Sequence, residues 1–176
     1  MKIFLLGLPG SGKTTLGKAL SMALRLPFVD LDSEIERREG KKITEIFAEK
    51  GEAYFRELES NELREGCTAT AEFVMATGGG TPCFFDNLEW INRAGKSIFL
   101  DVPPSEIVRR MKGTSQLKRP LLRKLPVEEI REKIERMRSE RIHFYEKALI
   151  TLSGELITAE EVMKELNLKR ESPQSP

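Results

Sequence analysis

The chain has 176 residues, of which 39% are hydrophobic and 32% charged, with a formal net charge of +1. That is enough chain for one compact domain with a full core, and the charge balance gives no global field to gather nucleic acid or an anionic membrane. Two cysteines, Cys67 and Cys83, and one histidine, His143, supply no disulfide framework, zinc-ligand spacing or Ser-His-Asp arrangement, so a reduced, cytoplasmic protein is expected.

The opening MKIFLL is too short for a secretory signal, and glycines break it at once. Its apolar core, Ile3 to Leu6, reads as a strand buried on both faces. Thr14 to Leu24 has helical spacing, and Leu26 to Leu31 reads as a second strand. Ser33 to Glu39 reads as a helix capped by Ser33 and ended by Gly40. A helical turn over 44–48 and a longer helix over 52–64 follow. Phe73 to Ala76 is a strand running into Thr77-Gly78-Gly79-Gly80. Helices are then expected over 86–94, 105–111, 127–148 and 158–166, and strands over 97–100 and 149–152. Strands alternating with helices imply a parallel sheet covered on both faces. One domain over 1–168 is expected, with a disordered tail over 169–176.

Gly7-x-x-x-x-Gly12-Lys13-Thr14 fits the phosphate-binding pattern GxxxxGK[ST] in the context it needs, after a buried strand and before an amphipathic helix. Glycines let backbone N–H groups approach phosphate oxygens, and the helix start points its positive end at the same anion. Gly10, Ser11, Gly12, Lys13, Thr14 and Thr15 are therefore the candidate nucleotide cradle. Lys13 would reach the β- and γ-phosphates, and the Thr14 hydroxyl would ligate Mg²⁺.

The pattern does not name the phosphate acceptor. Asp30 and Asp32 stand two apart at the expected end of the second strand, where both would share a face and a site. One would help to hold Mg²⁺ and the other would take a proton from an attacking hydroxyl; alternatively they are solvated acids, one of them a helix cap. The triple glycine Gly78-Gly79-Gly80 presents bare amides at another strand end. Arg56 and Arg141, taken singly, read as solvated helix residues that could grip a carboxylate. Residues 109–124, RRMKGTSQLKRPLLRK, hold seven cations and no acid. Without interleaved aromatics, a lid over the nucleotide, bracketed by Gly113 and Pro120, explains them better than a nucleic-acid patch.

Together these stretches resemble the shikimate kinases. The resemblance is carried by GLPGSGKTT at 7–15, DLD at 30–32, ITEIF at 43–47, FRELE at 55–59, GGG at 78–80, RPLL at 119–122 and R-x-x-x-Y from Arg141 to Tyr145. It implies a nucleoside-monophosphate-kinase-like α/β/α fold with a five-stranded parallel sheet in the order 2-3-1-4-5. It also implies ATP-dependent phosphorylation of the shikimate 3-hydroxyl, on the route to chorismate and aromatic amino acids.

By matching positions, the resemblance makes Asp32 the partner of the shikimate hydroxyls and the base. Arg56 and Arg141 become the carboxylate grip, with Gly78, Gly79 and Gly80 lining the same pocket. Thr14 and Asp30 become the Mg²⁺ partners, Arg119 the lid arginine on the phosphoryl group, and Arg110 the arginine packed on adenine. A shikimate-binding segment over about 31–60 and a lid over about 112–124 are expected to close on a monomeric enzyme. Its partners would be small molecules, with neither nucleic acid nor membrane among them. The alternatives are another small hydroxy-acid kinase, such as a gluconate kinase, and a nucleotide-dependent binding module with little catalysis.

Overall fold

A computed structural model of the chain describes residues 1–113 and 126–168. Five parallel strands form one sheet in the order β2-β3-β1-β4-β5: β1 Lys2–Leu6, β2 Phe28–Asp30, β3 Phe73–Ala76, β4 Lys96–Asp101 and β5 Ile150–Ser153. The helices are α1 Lys13–Leu24, α2 Leu31–Glu39, α3 Ile43–Thr68, α4 Asn87–Ala94, α5 Pro104–Gly113, α6 Val127–Tyr145 and α7 Ala159–Glu165. The expected sheet order is the observed one.

The period-2 alternation of the strands makes the layers. In β1, Phe4 and Leu6 enter one apolar cluster while Ile3 and Leu5 enter the other. Phe73 and Met75 of β3 and Phe99 of β4 join Phe4 on the face packed by α2 to α6. Val74, Ile98 and Leu100 join Ile3 on the face packed by α1 and α7, where Met163 is buried and Leu166 partly so. Each of these fully buried side chains stabilises the fold by about 1.5–3 kcal/mol before entropy is counted. The loops leaving the carboxyl ends of β1, β2 and β3 are thereby brought to one rim of the sheet, where ligands of open α/β sheets bind.

Several boundaries differ from the sequence expectation. β2 stops at Asp30, and α2 begins at Leu31. Asp30 is the cap: its Oδ1 accepts from the Ser33 amide at 3.3 Å, so Ser33 lies inside the first turn. The turn at 44–48 and the helix at 52–64 are two halves of α3, kinked at Gly51 (φ 79, ψ 175) and continuing to Thr68. That backbone conformation is nearly exclusive to glycine. α6 ends at Tyr145 rather than 148, and His143 is exposed on it.

Candidate active site

The loop between β1 and α1 turns sharply on Gly10 (φ 88) and Gly12 (φ 98), and the Ser11 amide donates to the Leu8 carbonyl at 3.1 Å. A left-handed Gly12 caps α1 without a side-chain hydrogen bond, and the first turn holds no acid. No acid within that turn offsets the positive end of the helix, which faces the loop. Lys13 is 8% exposed and lies along the loop, Nζ donating to the Gly7 carbonyl at 2.8 Å and to Leu8 at 3.0 Å. Ser11 Oγ is buried with no hydrogen-bond partner among the described residues. An orphaned hydroxyl beside an ammonium and a bare helix end suits an anion with several acceptor oxygens.

Thr14 Oγ1 donates to Asp30 Oδ2 at 3.0 Å, so the carboxylate that caps α2 also faces the start of α1. The two side chains line a cleft with Lys18, Phe28, Ser33 and Glu34. A hydroxyl and one carboxylate, both hard oxygen donors, fit Mg²⁺, which keeps waters and phosphates as its remaining ligands. Among the described residues no cluster of three or more His, Cys, Asp or Glu could cage a metal alone, so the fit is to a nucleotide-borne ion.

Asp32 does not share a strand with Asp30: it sits in the first turn of α2. Burial, then the charges of Glu59 and Asp30, push its carboxyl up to about 6, against the pull of Lys13 and Arg56. Asp32 Oδ1 stands beside Gly78, as does Glu59 Oε1, and the charges of Lys13 and Arg56 also reach it. The expected convergence is present, but the helix start, not strand alternation, produces it.

Arg56 is not a solvated helix residue: only 11% of its side chain is exposed. Its Nη1 donates to Glu59 Oε2 at 2.7 Å, and its Nε and Nη2 donate to Glu52 Oε1 at 3.2 and 3.1 Å. The guanidinium also lies over the Phe84 ring, 4.5 Å from its centroid. Glu59 is 1% exposed, and its other oxygen accepts from Thr81 Oγ1 at 2.6 Å. Sequence reasoning gave Glu59 and Glu52 no role, yet both stand at helical spacing from Arg56 and could have been found by that spacing.

The triple glycine is crowded on three sides. A Cβ on Gly78 would stand 2.6 Å from Glu59 Oε1 and 3.1 Å from Asp32 Oδ1; one on Gly79 would stand 2.7 Å from Pro9 Cδ; one on Gly80, 2.8 Å from Arg56 Nη2. Its three residues thus touch the acid pair, the phosphate loop and the arginine in turn. Tyr145, fully buried and stacked on Phe99 with centroids 5.0 Å apart, donates its hydroxyl to the Gly79 carbonyl and ties α6 to the same turn. Arg141 stands one turn earlier on the same face of α6. Arg141 and Arg56 both act on Cys83, pulling its thiol down while burial pushes it up to about 11. The charges of both arginines therefore reach the segment just past the triple glycine. Arg110, on α5, donates from Nη1 to the Ser11 carbonyl at 3.0 Å. Arg119 and residues 114–125 of the expected lid lie outside the described residues.

A sequence pattern described as shikimate kinase matches residues 9–169. The chain belongs to the shikimate kinase family. Shikimate kinase from Bacteroides fragilis is 47% identical over 84% of this chain and 82% of its own. The Aquifex aeolicus shikimate kinase is 40% identical over 97% and 96% of the two chains. Among solved structures, shikimate kinase from Bacteroides thetaiotaomicron superposes with a TM-score of 0.89 at 40% identity, covering 96% of this chain and 99% of that one. The enzyme from Acinetobacter baumannii, solved in complex with shikimate, gives 0.80 at 32% identity over 94% and 90%. A gluconokinase from Sinorhizobium meliloti gives 0.59 at 15% identity over 94% and 89% of the two chains, which is a likeness of fold alone. Membership makes this chain an ATP-dependent phosphotransferase acting on an alcohol, and it sets the gluconate reading aside. No helix among the described residues is long and apolar enough to cross a membrane.

Proposed function

We propose that this chain transfers the γ-phosphoryl group of ATP to the 3-hydroxyl of shikimate, giving shikimate 3-phosphate and ADP on the route to chorismate and the aromatic amino acids. The observation that carries the reading is the place of Asp32, a carboxyl of raised proton affinity beside Gly78 and within reach of the charges of Lys13 and Arg56.

The amides of Gly10, Ser11, Gly12, Lys13, Thr14 and Thr15 cradle the phosphates, with Ser11 Oγ and Lys13 Nζ on the terminal oxygens. Thr14 and Asp30 would hold Mg²⁺, which would supply positive charge to offset that of the phosphates. Arg56 and Arg141 take the substrate carboxylate, and the amides of Gly78, Gly79 and Gly80 line its ring. That pins the 3-hydroxyl between Asp32 and the terminal phosphorus. As the new O–P bond forms, Asp32 accepts the hydroxyl proton. The bridging P–O bond breaks with its electron pair passing to ADP. Lys13, with Arg119 from the lid, holds the charge spread over the transferring group. Arg110 packs on the adenine.

The substrate segment at 31–60, which carries Asp32 and Arg56 on two helices hinged at Gly40 and Gly51, closes with the lid at 112–124 to exclude water. We read the protein as a cytoplasmic monomer with small-molecule partners, consistent with its two free thiols.

An ADP-release assay across a panel of hydroxy acids tests the reading. Turnover with shikimate and none with gluconate is expected. ADP release with gluconate but not shikimate, or ATP binding with no turnover for any acid, overturns it.

A further inference from the structure

Glu106 is 5% exposed on α5, in a position where a lone carboxylate would be costly. Its Oε1 accepts from Arg110 Nε at 2.7 Å and from Arg109 Nη2 at 2.8 Å, and its Oε2 accepts from Arg109 Nε at 2.6 Å. Hydrogen bonds from Arg109 and then Arg110 hold its carboxyl down to about 2. The two arginines are not equivalent. Arg109 has 75% of its side chain exposed, and among the described residues its hydrogen bonds go to Glu106. Arg110 is 25% exposed, and its other two nitrogens reach out of the helix. Nη1 donates to the Ser11 carbonyl at 3.0 Å, beside Gly12, and Nη2 donates to the Glu155 carbonyl just beyond β5. Each nitrogen of one guanidinium therefore holds a different part of the chain: α5, the phosphate loop and the turn entering α7.

A planar group held at three edge positions cannot rotate about its own axis, so its faces keep a fixed orientation. Groups ordered before a ligand arrives do not lose that freedom on binding. We propose that Glu106 is a positioning residue for the nucleotide: it sets the plane of Arg110, and Arg110 in turn locks the phosphate loop to the turn after β5. Glu106 acts only through Arg110. This rests on the nucleotide reading of the loop given above. Glu106→Gln keeps the shape but removes the charge that orders the guanidinium.

The test is a double-mutant cycle read by calorimetric binding of Mg·ADP, with shikimate KM and the melting temperature measured alongside. Glu106→Gln is expected to weaken ADP binding by about tenfold, and Arg110→Ala by a similar factor, since a charge-assisted hydrogen bond is lost or misdirected. The double variant should bind no more weakly than Arg110→Ala alone, which a general loosening of α5 would not produce. Arg109→Ala should leave ADP affinity within about twofold, because Arg110 still holds Glu106 and keeps its own bonds to the phosphate loop and to Glu155, and the KM for shikimate should hold in all of them. Should Glu106→Gln fail to fold, Glu106→Asp, whose shorter carboxylate cannot reach both arginines, serves in the same cycle. Equal weakening in both backgrounds, or unchanged ADP binding, overturns the proposal. Wild-type protein that bound no ADP would instead overturn the nucleotide reading beneath it.

Discussion

Arg56 of α3 and Thr81, just past the triple glycine, are joined through one buried carboxylate: Glu59 accepts from the guanidinium at 2.7 Å with one oxygen and from the hydroxyl at 2.6 Å with the other. With Phe84 beneath it, Arg56 is fixed in direction from the inner side, while Glu52, 60% exposed, shares its outer edge. An exposed carboxylate on that edge is one that another carboxylate can replace. Arg56→Ala should therefore raise the KM for shikimate by about a hundredfold, from two charge-assisted bonds of roughly 1.5 kcal/mol each. The KM for ATP should stay nearly constant. Steady-state kinetics in both substrates decide it, and unchanged constants for both place the carboxylate elsewhere.

Asp32 gives the enzyme a pH limit. Its carboxyl is raised from 3.8 to about 6 by burial first and by the charges of Glu59 and Asp30 next, so the acid limb of kcat/KM for shikimate should fall through an apparent pKa near 6. That value belongs to the coupled acid cluster. Asp32→Asn should lower kcat by about 10²–10⁴-fold, the usual worth of a positioned base, and abolish the limb. The same shift has a consequence for stability. The folded chain holds this proton more tightly than the unfolded one, so the favourable contribution is whole below pH 4 and is lost as the pH rises through about 6. Asp32→Asn should accordingly melt a few degrees higher than the wild type at pH 8, with the gap narrowing at pH 5. A wild-type profile flat down to pH 5 would contradict the assignment.

The sheet and the phosphate loop were legible because their signals are local. Apolar runs of four to six residues can only be buried strands in a chain this polar, and the glycine spacing before Lys13 has one mechanical use. Asp30 and Asp32 were brought to one site for the wrong reason. A strand of three residues leaves no period to read, so the helix start at Leu31 was invisible, and with it the capping role of Asp30. Arg56 looked solvated because Phe84 and Thr81, which bury and anchor it, come from a segment far along the chain. Glu59 and Glu106 escaped notice for the same reason: a Glu three or four residues from an Arg is usually a surface pair, and only packing reveals the two that are buried.

Lys13 lies across the loop with both of its carbonyl contacts inside residues 7 and 8. A phosphate oxygen offers the ammonium a full charge where the carbonyls offer only dipoles, so the side chain moves to it at little structural cost. Lys13→Ala should abolish turnover, by at least about 10³-fold from lost transition-state charge, while the folded far-UV spectrum stays the same. Normal activity in that variant would refute the role of the loop.

The neighbours of the triple glycine separate two kinds of damage. Gly80 has ordinary backbone angles (φ −96), so an added methyl meets a purely spatial obstacle, the guanidinium of Arg56 at 2.8–3.0 Å. Arg56 cannot retreat freely, being held by Glu59, Glu52 and Phe84. Gly80→Ala should therefore act as a weaker copy of Arg56→Ala, raising the KM for shikimate by about tenfold through a misdirected charge-assisted pair. Gly79→Ala places its methyl 2.7 Å from the Pro9 ring, which belongs to the phosphate loop and has no rotamer through which to yield. That strain passes into the ATP site, so the KM for ATP should rise as well. If the two variants impair the same substrate to the same degree, the triple glycine is a flexible turn and not the wall shared by both sites.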